Sequence, residues 1–385
     1  MKKSPSDEIY TPSRVLLLSH YATTAMQDFL TLYLNKHEVG RLTVVNFPLP
    51  EVPLLTHIEV YEYESGKKIA MRRIRTYVGS PHLTYVIHFL QSFWVIFSVS
   101  SIPYDLVIAQ NSLLAFASVF SRWIGRVKRV VFYSHGISQK RFSASRMNSL
   151  YRALDSFVYK HSDANWALSK NIGVSRTITD RHPVHVVPAN VPVALFTGKE
   201  KKFTKPTMVF IGILNRMNGA DILPDILYEI RKVEPEFCLD IIGVGSEAET
   251  IKTKIRDFHL EKHVRMLGYQ DIFTYAPTLS SYFCGLAPYA NDDASLLGST
   301  DPMKIQVYAA AGIPAIVTEG YTFSARIRDL GLGMTAIANP ASMAKAVLHS
   351  YKNTKAYRSM REQSRLYAQK NDIYKIYERE FAELL

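Results

Sequence analysis

Cysteine is scarce in this 385-residue chain. There are two, Cys238 and Cys284, each inside an apolar, strand-like run (FCLDIIGVG and SYFCGLAPY). That excludes a disulfide framework and a cysteine-rich metal site; both thiols are expected in the core, as fits a reducing compartment. Proline and glycine, 18 of each, are too few for a collagen-like or low-complexity chain. No internal repeat is present, and disorder is expected only in the polar opening MKKSPSDEIYTPS. No secretory leader is visible, because the first apolar run, VLLLSHYA, is short and contains His20. No apolar run of membrane-spanning length is free of polar residues. Residues 82–101 (HLTYVIHFLQSFWVIFSVSS) come nearest, yet hold His82, His88 and Gln91. This segment reads as a span, as a half-buried helix, or as a helix lying on a membrane surface. Phe93, Trp94 and Phe97, near the basic run MRRIR, support the last reading.

Acidic residues are short in one half only. Residues 1–200 hold 23 Lys+Arg against 13 Asp+Glu, whereas residues 201–385 hold 23 against 21. A basic N-terminal half points to an anionic partner: nucleic acid, acidic lipid or a phosphorylated substrate. Aromatic and basic residues are not interleaved in a nucleic-acid motif, so no nucleic acid is expected as a partner.

What is present is an ordinary globular composition, 47% apolar and 21% charged, on a chain long enough for two domains. Strand-like and helix-like segments alternate, which argues for α/β sheets of parallel strands covered by helices. Strands are expected at 14–20, 41–48, 57–65, 104–110, 128–135 and 164–169, with 184–192 ending the first lobe. The lysine-rich stretch 193–206 reads as a linker. The pattern restarts with strands at 207–213, 237–245, 264–269, 282–289 and 313–319. The expected organisation is a Rossmann-like acceptor domain over 1–195 and a Rossmann-like nucleotide-sugar domain over 196–365. A helix over 366–385 is expected to return to the first lobe.

Residues 282–318 (YFCGLAPYANDDASLLGSTDPMKIQVYAAAGIPAIVT) carry the most chemistry. A buried strand ends at Ala287-Pro288-Tyr289-Ala290, and a polar loop follows. A helix then starts at Ser299, Thr300 or Asp301 as cap, with Pro302 as its first residue. Such a helix start presents free N–H groups and a partial positive charge, and Lys304 adds a full one. A diphosphate leaving group needs that neutralisation. A capped helix with a solvated lysine is the plainer reading of the same signals.

The order of Asp301, Lys304, Tyr308, Gly312 and Pro314 resembles the donor-binding segment of the GT-B fold glycosyltransferases. In these, two Rossmann-like βαβ lobes face each other across a cleft. Ala287 to Ala290 and Met303-Lys304 resemble the matching stretch of the glucuronosyltransferases of xanthan assembly. So do Ser19-His20 and the stretch from Ser134 to Ser138. The resemblance implies nucleotide-sugar contacts at Tyr289, Met303 and Lys304, and a base pocket shaped by Leu214 and Tyr269. Many retaining members carry two glutamates, where Ser299 and Val307 stand here. They also carry an arginine and a lysine where this chain has Ile213 and Asn218. Arg216, in the same loop, is the candidate replacement. These departures favour inversion. The catalytic base is then expected at His135, where the resembling enzymes place an aspartate, with His20 as alternative. Lys140 and Arg141 are candidates for holding a phosphate-bearing acceptor.

The resemblance thus implies transfer from a nucleotide-sugar, UDP-linked by expectation, to a hydroxyl of a glycan or lipid-linked acceptor. No cofactor and no metal are expected; His182 and His185 flank Pro183 without paired carboxylates nearby. The expected place is cytoplasmic, peripheral on an anionic membrane face. A UDP-sugar epimerase and a non-catalytic partner subunit remain as alternatives.

Overall fold

The computed structural model describes residues 12–20, 26–49, 55–135, 145–169, 172, 183–197, 205–290 and 302–384. The chain divides into two compact units, Met1–Pro188 with Tyr374–Leu385, and Ala189–Ile373.

In the first unit, β1 (Arg14–His20), β2 (Arg41–Phe47), β5 (Tyr104–Ala109), β6 (Val127–Ser134), β7 (Ala164–Ala167) and β8 (Val184–Val186) run parallel. Two antiparallel strands, β3 (His57–Glu64) and β4 (Lys67–Arg75), extend the sheet beyond β2. The order is β4-β3-β2-β1-β5-β6-β7-β8. Buried strands such as VLLLS in β1 are nearly continuous apolar runs, as a parallel sheet covered on both faces requires. Helices α1 (Met26–Lys36), α2 (Pro81–Ser98), α3 (Ser112–Trp123) and α4 (Ser145–His161) are its covering helices.

The sequence reading missed β4 and took its MRRIR as a free basic run. Arg72 pairs with Glu62, and Arg73 with Glu59 at 3.2 Å, both acids lying on β3. These cross-strand pairs neutralise the arginines and fix a hairpin that turns at Ser65-Gly66. Glu62, held also by Arg41 at 2.8 Å, titrates below the usual carboxylate range because two guanidiniums outweigh its burial.

The second unit is a six-stranded parallel sheet of β9 (Thr207–Ile211), β10 (Cys238–Ile242), β11 (Val264–Gly268), β12 (Cys284–Ala287), β13 (Ala315–Thr318) and β14 (Gly333–Ala336). Its order is β11-β10-β9-β12-β13-β14. The helices are α5 (Leu223–Arg231), α6 (Ala248–Asp257), α7 (Ile272–Leu279), α8 (Met303–Ala310), α9 (Thr322–Asp329), α10 (Pro340–Lys352) and α11 (Thr354–Lys370). The sequence did not announce α7, because Pro277 lies inside it. Its start is nevertheless capped by Asp271, which accepts the Thr274 N–H at 3.0 Å.

The last helix, α12 (Ile373–Leu384), belongs to the first unit from Tyr374 onward. Tyr377 and Phe381 pack their rings against Tyr33 and Trp166. The segment before it stays with the second unit. There Asn190 Nδ2 donates to the Asn371 carbonyl at 2.6 Å and the Val193 N–H to Asp372 at 3.2 Å. Cys284 is buried, whereas Cys238 is only half-buried.

Candidate functional site

In an open α/β sheet, ligands bind beyond the carboxyl ends of the strands where the strand order reverses. In the second unit that point lies between β9 and β12, its first strand having β10 on one side and β12 on the other. Gly212 follows β9, and Pro288-Tyr289 follow β12.

Helix α8 begins beside this point. Pro302 is its N-cap, one residue outside the expected start, because its extended ψ of 131° keeps it out of the first turn. At the other end Gly312 takes φ 64°, its N–H bonding Ala309 and the Ile313 N–H bonding Tyr308, and these two bonds close the helix as the Gly-Ile-Pro sequence implied. Tyr308 anchors α8 to the sheet. Its hydroxyl donates to the Leu286 carbonyl at 3.0 Å and accepts the Ile211 N–H at 3.2 Å. The ring lies where a Cβ on Gly285 would be 2.4 Å away, so glycine is what admits it.

The anchor places Lys304 at the strand ends. Lys304 is 9% exposed. Its ammonium lies 4.3 Å from the Phe210 ring centre and 4.7 Å from that of Tyr289. The hydrogen-bond partner is Asn218 Oδ1, at 3.5 Å. Burial pushes the lysine down to about 7, since two aromatic faces and one long hydrogen bond replace little of its hydration. Such a buried cation, without a carboxylate among these contacts, is electrostatically incomplete and suited to an arriving anion.

The loop 212–219 is held over this lysine by close backbone contacts. Gly219, at φ 67°, sits where a Cβ would come within 1.7 Å of the Pro288 carbonyl oxygen. The Ala290 N–H bonds the Met217 carbonyl at 3.1 Å, and Tyr321 donates to the Ala290 carbonyl at 2.5 Å. Beside them, Gly243, at φ 147°, leaves no room for a Cβ against the Gly212 carbonyl at 1.8 Å. Glycines therefore let the ends of β9, β10 and β12 approach as bare backbone.

Of the residues expected here, Lys304 and Tyr289 are brought together, and Met303 is half-buried on the first turn of α8. Leu214 is a correction. Its side chain is 1% exposed within the apolar core, while its N–H and carbonyl bond Val244 and Glu247. The side chain has no free surface for a base; core burial claims it. Arg216 is exposed and meets Glu247 at 3.6 Å, and Tyr269 is exposed beyond β11. Asp301 lies outside the described residues. Phe210 and Asn218 were missed. Asn218 registered only as the absence of a lysine, and Phe210 as a core strand residue.

The first unit has its own reversal point, between β1 and β5, where His20 and Asn111 lie. Asn111 caps α3, its Oδ1 accepting the Leu114 N–H at 3.0 Å. The amide therefore turns its NH₂ to Nδ1 of His20. That puts the His20 proton on Nε2, 3.1 Å from Nδ1 of His88. Both ring nitrogens of His20 are engaged, and the ring is packed by Phe47 and Tyr85. His88 itself is fully buried on α2, and burial depresses it to about 4.

His135 follows β6, with its ring 4.6 Å edge-on from Tyr133. The residue is half-exposed, but its Nε2 is closed off from water and has no hydrogen-bond partner among the described residues. Burial lowers it to about 4, so the imidazole is neutral at pH 7 and a weaker proton acceptor than a solvated one. Lys140 and Arg141 lie outside the described residues.

Residues 205–353 match the family described as glycosyl transferases group 1. Among solved structures, WaaG, a glycosyltransferase involved in lipopolysaccharide biosynthesis, superposes with a TM-score of 0.65 at 12% identity, covering 95% of this chain and 98% of its own. The sucrose-phosphate synthase of Thermosynechococcus elongatus gives 0.64 at 14% identity, with 96% and 99% covered. HepE of Anabaena, in complex with UDP, gives 0.64 at 13%, with 95% and 98% covered. No curated protein matches the chain in sequence. The likeness to glucuronosyltransferases rests on the short motifs alone. The two sheets, the strand orders and these superpositions make the chain a GT-B fold whose residues 205–353 match the group 1 glycosyl transferases.

Proposed function

We propose that the chain is a glycosyltransferase that takes a sugar from a UDP-sugar and transfers it to a hydroxyl of a glycan or lipid-linked acceptor. The observation that carries this is the buried Lys304 at the strand ends of the domain that matches the family. As the glycosidic bond to the diphosphate breaks, negative charge grows on the β-phosphate, and a desolvated ammonium stabilises it more than a solvated one does. Tyr289 and Phe210 hold the ammonium in place, Met303 offers its backbone N–H at the helix start, and Tyr269 supplies an exposed ring for the base. With a full charge at Lys304, the leaving group needs no metal.

The stereochemical reading is inversion, with His135 as the base that takes the acceptor proton. His20 is the weaker candidate, because both its nitrogens are engaged. The position of the second glutamate of many retaining members is Val307, 1% exposed in the core. The anomeric configuration of the first product, read by NMR before mutarotation, tests this: retention would remove His135 from the base role.

The lipid-linked acceptor and the peripheral membrane location are supported by α2. The helix buries Tyr85, Val95 and Ile96 together with Thr84, His88 and Ser92, yet leaves Leu83, Val86, Leu90, Trp94 and Phe97 exposed. Phe120, Trp123 and Ile124, at the end of α3, are exposed too. An apolar groove of about 280 Å³ runs between α2 and α4, walled by Tyr85, Phe89, Leu113 and Leu150. No helix among the described residues is long and apolar enough to cross a membrane. Binding of UDP, GDP and dTDP to wild type and Lys304→Ala, with and without chelator, tests the donor reading. Equal affinity in the variant would overturn it.

A further inference from the structure

A polar cavity of about 180 Å³ lies at the β8 edge of the first unit's sheet, at the amino ends of β7 and β8. It has no part in the chemistry above. Three side chains converge on it: His185 of β8, and Glu380 and Glu383, one turn apart on α12. His185 Nδ1 lies 2.8 Å from Glu380 Oε2 and 3.1 Å from Glu383 Oε2, and all three ligand atoms lie within 4.8 Å of one another.

The arrangement is more than a surface acid cluster. Glu380 is 3% exposed. Arg379 holds its Oε1 at 2.7 Å, while its buried Oε2 has no hydrogen-bond donor in bonding geometry among the described residues. Asn165 alternates with Trp166 along β7 and turns its side chain to the other face of the sheet, where its Nδ2 donates to the Tyr159 carbonyl of α4 at 3.0 Å. Asp163, also in the wall, is already committed to Arg122 at 2.6 Å and to the Val130 N–H at 2.7 Å. Arg129 donates to the Leu384 carbonyl at 2.5 Å. What remains facing the cavity is one imidazole nitrogen and two carboxylate oxygens, that of Glu380 buried and that of Glu383 half-exposed. A buried carboxylate oxygen without a donor in bonding geometry is costly.

We propose that His185, Glu380 and Glu383 bind a first-row divalent transition-metal ion, with water completing its coordination. Nitrogen and carboxylate donors suit Zn²⁺ or Mn²⁺. Donors about 2.1 Å from one ion stand about 3.0 Å apart when octahedral and about 3.4 Å apart when tetrahedral, so the separations of 2.8 and 3.1 Å need only small side-chain adjustments to admit an ion. The ion ties the last helix of the chain to the edge strand β8, so its role is to hold α12 on the first unit's sheet. Because the ligands come from positions about two hundred residues apart, spacing in the sequence gives no sign of them.

The test is calorimetric titration of the chelator-stripped full chain with Zn²⁺ and with Mn²⁺, beside His185→Gln and Glu383→Gln. Glu383 is half-exposed, so its substitution leaves the fold intact, and circular dichroism checks both variants. Expected are one ion per wild-type chain, at least tenfold weaker binding in each variant, and a wild-type Tm raised on the order of 5 °C at saturating metal. No binding by the wild type, or equal binding by the variants, would overturn the proposal.

Discussion

If Lys304 completes its electrostatics with a diphosphate, nucleotide binding must take up a proton. In the unliganded protein burial holds the ammonium near 7, so at pH 7 about half of the molecules carry it neutral. A bound diphosphate favours the charged form and returns the lysine toward its ordinary range. Uptake is then about 0.5 proton per UDP at pH 7 and about 0.9 at pH 8, where the phosphates of UDP are themselves fully ionised. The sign follows: affinity is greatest at and below pH 7 and weakens as pH rises, by close to tenfold between pH 8 and pH 9. Titration calorimetry at pH 8 in two buffers of different ionisation enthalpy reads the uptake directly. Lys304→Gln should bind UDP more weakly and with no uptake. Uptake below 0.2 in the wild type, or equal uptake in the variant, would refute the reasoning.

The same burial makes Lys304 a cost to the unliganded fold. A folded pKa near 7 against an unfolded 10.5 corresponds to on the order of 3–5 kcal/mol once the cation–π contacts are allowed for. Lys304→Met should therefore raise Tm most at pH 7 and below, the gain fading as pH rises toward 10; a gain that does not change with pH would count against it. Gly219→Ala should destabilise the second unit by several kcal/mol and abolish UDP binding, because its Cβ would overlap the Pro288 carbonyl at 1.7 Å; thermal melting and UDP titration check this. Tyr308→Phe should cost about 2 kcal/mol in denaturant unfolding, since the Ile211 N–H loses its acceptor in a buried place. Trp94→Glu combined with Phe97→Glu should prevent sedimentation with anionic vesicles at low salt while leaving UDP affinity unchanged; wild-type-like sedimentation would clear α2 of that role.

The fold was legible because buried parallel strands leave apolar runs: of the fourteen strands among the described residues, ten parallel ones and the antiparallel β3 were expected from the sequence. The strand β4 was not. Its face is arginine and lysine, and its stability comes from Glu59 and Glu62 across the ladder, which alternation of apolar residues cannot report. Helix α7 was hidden by Pro277. The donor site was legible where local signals converge, at Lys304, Tyr308 and Gly312. It was not legible where the sheet brings distant strands together: Phe210 and Asn218 meet Lys304 across roughly ninety residues, and only the strand order β9-β12 makes them neighbours. Leu214 shows the converse, since its place after Gly212 suggests a pocket wall while packing claims the side chain. The locked pair of His20 and His88 depends on Asn111 serving as a helix cap, a fact of geometry that neither motif nor spacing carries.

The most direct measurement is release of UDP from a panel of UDP-sugars by the purified chain, with Lys304→Ala beside it. The account predicts slow release from at least one donor, faster with a glycan or lipid-linked acceptor present, and loss of both in Lys304→Ala. Failure to bind or turn over any nucleotide-sugar in a folded preparation would contradict it.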